Sequence, residues 1–508
     1  MSLKKNILAN YLSQFYVTLI GIVMLPVYIK YIGAEAYGLV GFFTMLQAWF
    51  QLLDMGLTPT MARQTARYQG GAMDALGLRR LLRALEGFFV GVAILGAIGI
   101  VVIADSIATQ WLNVQSLSLS EVSNSVMLMG VIVALRWTCG LYRGVIIGFE
   151  RLLWLSGWNA FIATLRFVLV IPFFIFIGTS PTDFFSYQLG VALLELAVLV
   201  TQSYRLLPKV EAGQHTPWQW QSLRGVLKFS LSIAFTSSVW VLVTQTDKLV
   251  LSKLLPLAEY GYFTLAVLVA GGVMTVSAPI SNAILPRMTR LQAVGDESGL
   301  LRVYRSSTQL VAVIVMPVAL MLAFFSEQVL WAWTGDALLV SKAAPVLTLY
   351  AIGFGILALG AFPYYLQFAK GDLKLHLLGN FLFVLLLIPA LIWATLHFGM
   401  IGAGWAWLVA NLAYFLLWVP LVHIRFAQGL HWSWLFGDVI AICMPVIICA
   451  WLVHYFVSWE VGRLAVIVQL CLLGSLLLMI ACLSSSNVRS LLASRYRMTT
   501  VWSFCIRK

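Results

Sequence analysis

Apolar runs of about 20 residues recur from one end of this chain to the other, and that recurrence constrains the fold more than any other feature. About 20 residues of helix rise roughly 30 Å, the thickness of a bilayer's hydrocarbon core. Lipid satisfies no backbone hydrogen bond, so such runs read as helices. Only 10% of the residues are charged and 61% are hydrophobic, whereas water-soluble domains carry about 25% charged residues. The chain therefore reads as an all-α polytopic membrane protein.

Runs bounded by charged or turn residues lie near 8–32, 36–58, 84–104, 122–148, 157–178, 184–204 and 229–252, then near 260–285, 309–330, 344–368, 376–398, 401–424, 438–458 and 463–483. That gives about fourteen transmembrane helices. The first follows Lys4 and Lys5 but runs too long for a signal peptide and meets a second span at once, so it reads as retained.

With the amino terminus placed in the cytoplasm, the inner segments hold 25 of the 32 Lys and Arg residues, and the outer loops hold Lys253, Lys342 and Arg463. Lys30 sits at the outer end of the first span, and Arg136, Arg166 and Lys248 are embedded. This asymmetry is the positive-inside pattern of a multi-pass protein of the bacterial inner (cytoplasmic) membrane with both termini in the cytoplasm. Basic loops facing anionic headgroups account for the net charge of +13 without any nucleic-acid partner. Five cysteines (Cys139, Cys443, Cys449, Cys471, Cys482) fall inside spans and Cys505 lies in the tail, none at disulfide or zinc spacing. The outer loops are short, the longest near 105–121, and hold no Ser/His/Asp, metal or paired-carboxylate grouping. A non-enzyme without cofactor or metal is expected, which weighs against a membrane glycan polymerase or ligase.

Shifting the sequence by 223 residues aligns Lys30 with Lys253, Tyr37-Gly38 with Tyr260-Gly261, Arg67 with Arg290 and Gln69 with Gln292. In each copy a long span ends at a lysine, a short outer turn follows, and a second span descends to a basic loop. Six spans and a linker separate the copies, so they share one membrane orientation. The expected organisation is a six-helix lobe over 1–204, a cytoplasmic linker over 205–228, a second six-helix lobe over 229–424, and two further helices with a basic tail over 425–508. The linker, with Trp218 and Trp220 beside Arg224 and Lys228, reads as an interfacial segment.

Together these features resemble the Wzx-type flippases of lipid-linked oligosaccharides (O-antigen and exopolysaccharide units), a branch of the MOP superfamily that also holds the MATE exporters. In the first half the resemblance is carried by Asn10, Pro26, Tyr31-Ile32-Gly33, Tyr37-Gly38 and Asp54-Met55-Gly56-Leu57. In the second half it is carried by Thr246-Asp247-Lys248-Leu249, Ser252-Lys253, Tyr260-Gly261-Tyr262 and Pro286-Arg287-Met288-Thr289-Arg290. It implies a V-shaped, MATE-like carrier that moves undecaprenyl-diphosphate-linked sugar units from the inner to the outer leaflet by ion-coupled alternating access. The partners it implies are lipid-linked oligosaccharide, membrane lipids and other polysaccharide assembly proteins. Twelve spans are usual in that branch, whereas the lipid II flippases have two more.

Charge at mid-membrane is costly and marks function or pairing. The turn between spans 4 and 5 centres near Arg151, which puts Arg136 and Arg166 at similar depth, and counting from Pro181 adds Glu195 to the same layer. Guanidinium groups suit a diphosphate, so Arg136 and Arg166 are the candidate substrate ligands. In the alternative, Glu195 neutralises one of them as a packing pair. Glu195 and Asp54 are candidates for coupling to Na⁺ or H⁺, while Asp247 and Lys248 read as a local pair or anchor near the outer end of span 7. A MATE-type exporter of cationic drugs would be expected to show more acidic residues in this lobe. Prolines 26, 172, 279, 317, 363, 389 and 420 interrupt spans and invite kinks.

Overall fold

The computed structural model describes residues 3–54, 56–208, 238, 241–460 and 462–490. The linker beyond Pro208, the start of the seventh expected span, Met55 and the basic tail with Cys505 lie outside the described residues.

Helices α1 (Leu3–Val23), α2 (Leu25–Ile32), α3 (Ala34–Phe50), α4 (Leu57–Gln69), α5 (Ala75–Ser106), α6 (Leu119–Gly148), α7 (Leu152–Phe167), α8 (Val170–Phe176) and α9 (Pro181–Leu206) come first. A helix over 241–254, here α10, precedes α11 (Leu257–Ala293), α12 (Glu297–Phe324), α13 (Ser326–Thr334), α14 (Ala337–Gly360) and α15 (Phe362–Lys370). The chain continues through α16 (Lys374–Ala413), α17 (Val419–Phe426), α18 (Leu430–Trp434), α19 (Ala441–Phe456) and α20 (Arg463–Ser484). No strand occurs among the described residues.

Twelve stretches of the described residues are long and apolar enough to cross a bilayer. One of them, Lys374–Phe426, has 53 residues, about 80 Å of helix and too long for one crossing. It turns at Gly399, whose φ of 60° and ψ of −147° suit glycine alone, so it makes two spans. The described residues thus give thirteen spans, close to the total of about fourteen expected, and α10 covers the described part of the seventh expected run. The spans also expose apolar side chains that a water-soluble fold would bury: Phe176 is 83% exposed and Leu464 80%. The protein is a multi-pass membrane protein.

Two local departures have plain causes. Helix α5 starts at Ala75 rather than near residue 84, so Arg79, Arg80 and Arg83 ride on its first turns instead of a loop. The fifth span breaks between α7 and α8 because Pro172 has no N–H for the carbonyl of Val168 and its ring crowds that group. The Val168 carbonyl instead accepts from Ile171 N–H at 3.0 Å in a tighter turn. Pro317 and Pro389, by contrast, stay inside continuous helices.

Contacts group the chain into two compact units, Met1–Gly261 and Tyr262–Lys508. In the first, α6 is the central helix, packed by α3, α4, α5 and α9, while α1 lies along α7. The repeat detected in the sequence has a physical counterpart here. A Cβ on Gly261 would sit 2.7 Å from the Ala34 carbonyl oxygen, and one on Gly38 would run into the Leu257 carbonyl. Ala34 and Leu257 are themselves 223 residues apart, so the two copies touch reciprocally, each glycine admitting the other's backbone. The loop after α5 ties the same region together. Buried Glu35 accepts from the N–H groups of Gln115 (2.5 Å), Ser116 (2.8 Å) and Leu117 (3.2 Å), and Trp111 Nε1 donates to Ser252 at 2.9 Å.

In the second unit α12 and α14 pack together, α16 adds to α14, and α19 and α20 pack against α12. The last two helices are tied down at both ends. Asp438, fully buried, takes Arg305 Nε at 2.5 Å and Gln309 Nε2 at 2.7 Å, and Gln309 Oε1 accepts from Ser485 Oγ and Asn487 N–H. At the other end of α20, Arg463 donates to the carbonyls of Ala332 and Trp333.

Candidate functional site

The break after α7 leaves its last carbonyls without intrahelical donors, and buried carbonyls demand replacements. Neighbouring side chains supply them. Tyr187 hydroxyl donates to Leu165 O at 2.7 Å, Tyr28 hydroxyl to Arg166 O at 3.2 Å and Phe167 O at 3.0 Å, and Gln188 Nε2 to Arg166 O at 3.0 Å. Tyr28 reaches them from α2, just past the break at Pro26, and is itself buried.

Gln188 uses its other end on Arg136. Its Oε1 accepts from Arg136 Nη2 at 2.8 Å, so one amide joins the guanidinium on α6 to the backbone of Arg166 on α7. The Arg136 guanidinium also lies 5.4 Å from the ring centroid of Phe43, within cation–π range. These contacts fix the group without neutralising it. Arg136 Nε and Nη1 and Arg166 Nε are buried donors with no hydrogen-bond partner. Electrostatically Arg136 is repelled by Arg166 and Arg143, while Glu195 attracts both Arg136 and Arg166 without a hydrogen bond to either.

Glu195 sits differently from expectation. It pairs with Arg143 on α6, not with Arg136 or Arg166, and its carboxylate is almost fully buried. Counting residues from Pro181 assumes an unbroken span, whereas the chain between Arg166 and α9 is interrupted at α7/α8 and again before Pro181. Gln188, only seven residues beyond Pro181, is already level with Arg166. Arg143 lies within the fourth expected span, and its side chain, 38% exposed, reaches the buried Glu195. Gln188 carries no charge and was missed for that reason.

The remaining acidic candidates have local partners. Asp54 accepts from the Thr58 hydroxyl at 2.5 Å and from Thr58 N–H at 3.2 Å, holding the start of α4. Asp247 contacts its neighbour Lys248, whose Nζ lies 3.3 Å from the carboxylate and donates to Thr244 O at 2.6 Å. Glu86 takes hydroxyls from Tyr142 at 3.1 Å and Tyr204 at 2.8 Å. No group of three or more His, Cys, Asp or Glu residues among the described residues is placed to hold a metal ion.

Chemically, then, the first unit offers the Arg136 guanidinium, fixed by Gln188, and Arg166 Nε beside it, both with open buried donors and, among the described residues, neither hydrogen-bonded to a carboxylate, which suits an anion with several acceptor oxygens.

The family described as "Polysaccharide biosynthesis protein" matches residues 3–292, more than half of the chain. A Shigella flexneri protein carrying a provisional name as an O-antigen transporter is 19% identical over 408 residues, covering 80% of this chain and 94% of that protein. Among solved structures, the lipid II flippase MurJ in an inward closed conformation superposes with a TM-score of 0.71 at 14% identity, covering 96% of this chain and all of that one. An inward-facing multidrug resistance MATE family transporter of the MOP superfamily gives 0.65 at 14% identity, over 81% and 94% of the two chains. The fold is that of the MurJ and MATE transporters.

Proposed function

The chain belongs to the polysaccharide biosynthesis protein family, and from that premise we propose that it is a flippase for a lipid-linked oligosaccharide. The cargo is a polyprenyl-diphosphate-linked repeat unit, carried from the cytoplasmic to the outer leaflet of the bacterial inner membrane, with both termini in the cytoplasm. No bond in the cargo changes, and the sugar unit passes to other assembly proteins for surface polysaccharide synthesis. Alternating access driven by Na⁺ or H⁺ supplies the work.

One observation carries the reading: Arg136 and Arg166 are joined through Gln188 and left with open buried donors. A cation at mid-membrane costs about 2.5–3.5 kcal/mol even on the mildest scale. An anionic headgroup that enters and leaves offsets that cost, whereas a permanent carboxylate partner would cancel the attraction. A cationic drug as cargo is disfavoured by the same inventory, because Glu195, Glu86 and Asp54 are already engaged by Arg143, tyrosines and Thr58.

Expression of each arginine variant in a deletion strain tests the proposal. Arg136→Ala and Arg166→Ala are expected to abolish or sharply reduce glycan export, with the Lys variants intermediate because they keep the charge but lose the fork. Normal export from both alanine variants would remove the proposal.

A further inference from the structure

Six polar residues of the first unit fall on three helices in pairs seven apart: Arg136 and Arg143 on α6, Arg166 and Asn159 on α7, Gln188 and Glu195 on α9. Seven residues are about two helical turns, so the members of each pair share a face and stand about 10 Å apart along the axis. Because α6 and α7 form an antiparallel hairpin, the step from Arg136 to Arg143 runs the same way as the step from Arg166 to Asn159. Hydrogen bonds join the three faces at one level through Gln188, and the Arg143–Glu195 pair joins two of them at the next. The result is two polar tiers within one helix cluster.

The tiers differ in chemistry. At the level of Arg136 and Arg166 every open atom is a donor and the charge is positive. At the level of Glu195 the formal charges cancel, and the open buried atoms are mixed: Arg143 Nε and Trp158 Nε1 donate, whereas Asn159 Oδ1 and Glu195 Oε2 accept. Trp158 is held in place by Trp154, stacked at 6.0 Å, and by Phe161 at 5.4 Å, and it packs against the buried cluster of Cys139, Tyr142, Ile146, Leu155 and Leu199. Its indole N–H therefore has a set position in the cluster.

Phosphate oxygens only accept, so the first tier suits a diphosphate. Hydroxyl and acetamido groups both donate and accept, which is what the second tier can pair with. We propose that Trp158, Asn159, Arg143 and Glu195 form a saccharide subsite that reads the sugar attached to the diphosphate, an inference that rests on the flippase reading above. Buried polar atoms left unpaired by a ligand lacking the group penalise that ligand, and this is how such a subsite selects.

Binding by the purified full-length chain in nanodiscs, with undecaprenyl diphosphate and undecaprenyl-diphosphate N-acetylglucosamine as probes, decides the matter. The wild type is expected to bind the sugar-bearing lipid about tenfold more tightly, the scale of one or two hydrogen bonds. Asn159→Ala and, independently, Trp158→Phe, which keeps an aromatic ring and removes the N–H, are expected to erase most of that preference while leaving the bare lipid unchanged. Arg136→Ala is expected to weaken both lipids together. Absence of a sugar preference in the wild type, or equal weakening of both lipids by the Asn159 and Trp158 variants, overturns the subsite. It leaves the diphosphate reading standing so long as Arg136→Ala weakens both lipids. Failure of the wild type to bind either lipid overturns both readings.

Discussion

Both units of this protein bury polar side chains, and they finish the job differently. In the second unit Arg305, Asp438 and Gln309 close on one another and on Ser485 and Asn487, while Tyr304, His423 and His431 form a chain at 2.7 and 2.9 Å. Among the described residues, the buried side-chain atoms there without a partner are four indole N–H groups and one threonine hydroxyl, none of them charged. In the first unit the open buried atoms include, besides neutral ones such as Trp158 Nε1 and Asn159 Oδ1, those of five charged side chains: Arg80, Arg136, Arg143, Arg166 and Glu195. A saturated network fixes helices, whereas an unsaturated charged one carries a cost that water or a visiting ligand relieves. The closed network suits packing, and the open one is where the proposed cargo contact falls.

The comparison can be broken most forcefully at Asp438. Arg305→Ala leaves a fully buried carboxylate with little beyond Gln309, and the loss is expected to be about 3 kcal/mol, seen as a clear drop in Tm of the purified chain. An unmoved melt would mean the closed network does not hold α19 and α20 to α12. Arg136→Ala should do the reverse. Its stability cost is expected to stay within about 1 kcal/mol, while affinity for a polyprenyl diphosphate falls by about 1.5–3 kcal/mol, measured by titration. Gln188→Ala sharpens the distinction, since Tyr28 still covers the Arg166 carbonyl; a loss near 1 kcal/mol in the melt and a smaller loss of affinity than for Arg136→Ala are expected.

The smallest effect belongs to an exposed pair outside both networks. The Lys374 backbone N–H, with Arg425 beside it, holds the Asp372 carboxyl below its usual range. A depressed carboxyl stabilises above the unfolded value near ~3.9 and loses that contribution as pH falls through its folded value. Asp372→Asn is therefore expected to leave the melt at neutral pH nearly unchanged, and a large shift would show that surface charge matters more here than burial.

Much of this architecture was legible in the sequence because membrane spans obey a length rule. The division of the long α16 segment near Gly399 followed from two apolar runs meeting there, and Pro172 marked the break that exposes the Arg166 carbonyl. The 223-residue repeat pointed to Gly38 and Gly261, though only their backbone approach shows why both must be glycine. Gln188 joins the Arg136 side chain to the Arg166 backbone, so the two residues that flank the tight turn between α6 and α7 at similar spacing stand close together. Glu195 was misplaced because residue counting assumes an unbroken helix. Gln188 and Asn159 gave no signal to a search for charge, and only the seven-residue spacing they share with Arg166 and Glu195 could have drawn attention to them.

Leaflet-to-leaflet movement of a fluorescent undecaprenyl-diphosphate-linked oligosaccharide in proteoliposomes tests the central claim most directly, with the wild type compared against the Arg136→Ala/Arg166→Ala double variant. Movement by the wild type and none by a double variant that still folds and melts normally is the expected result. Equal rates from the two proteins would contradict the account.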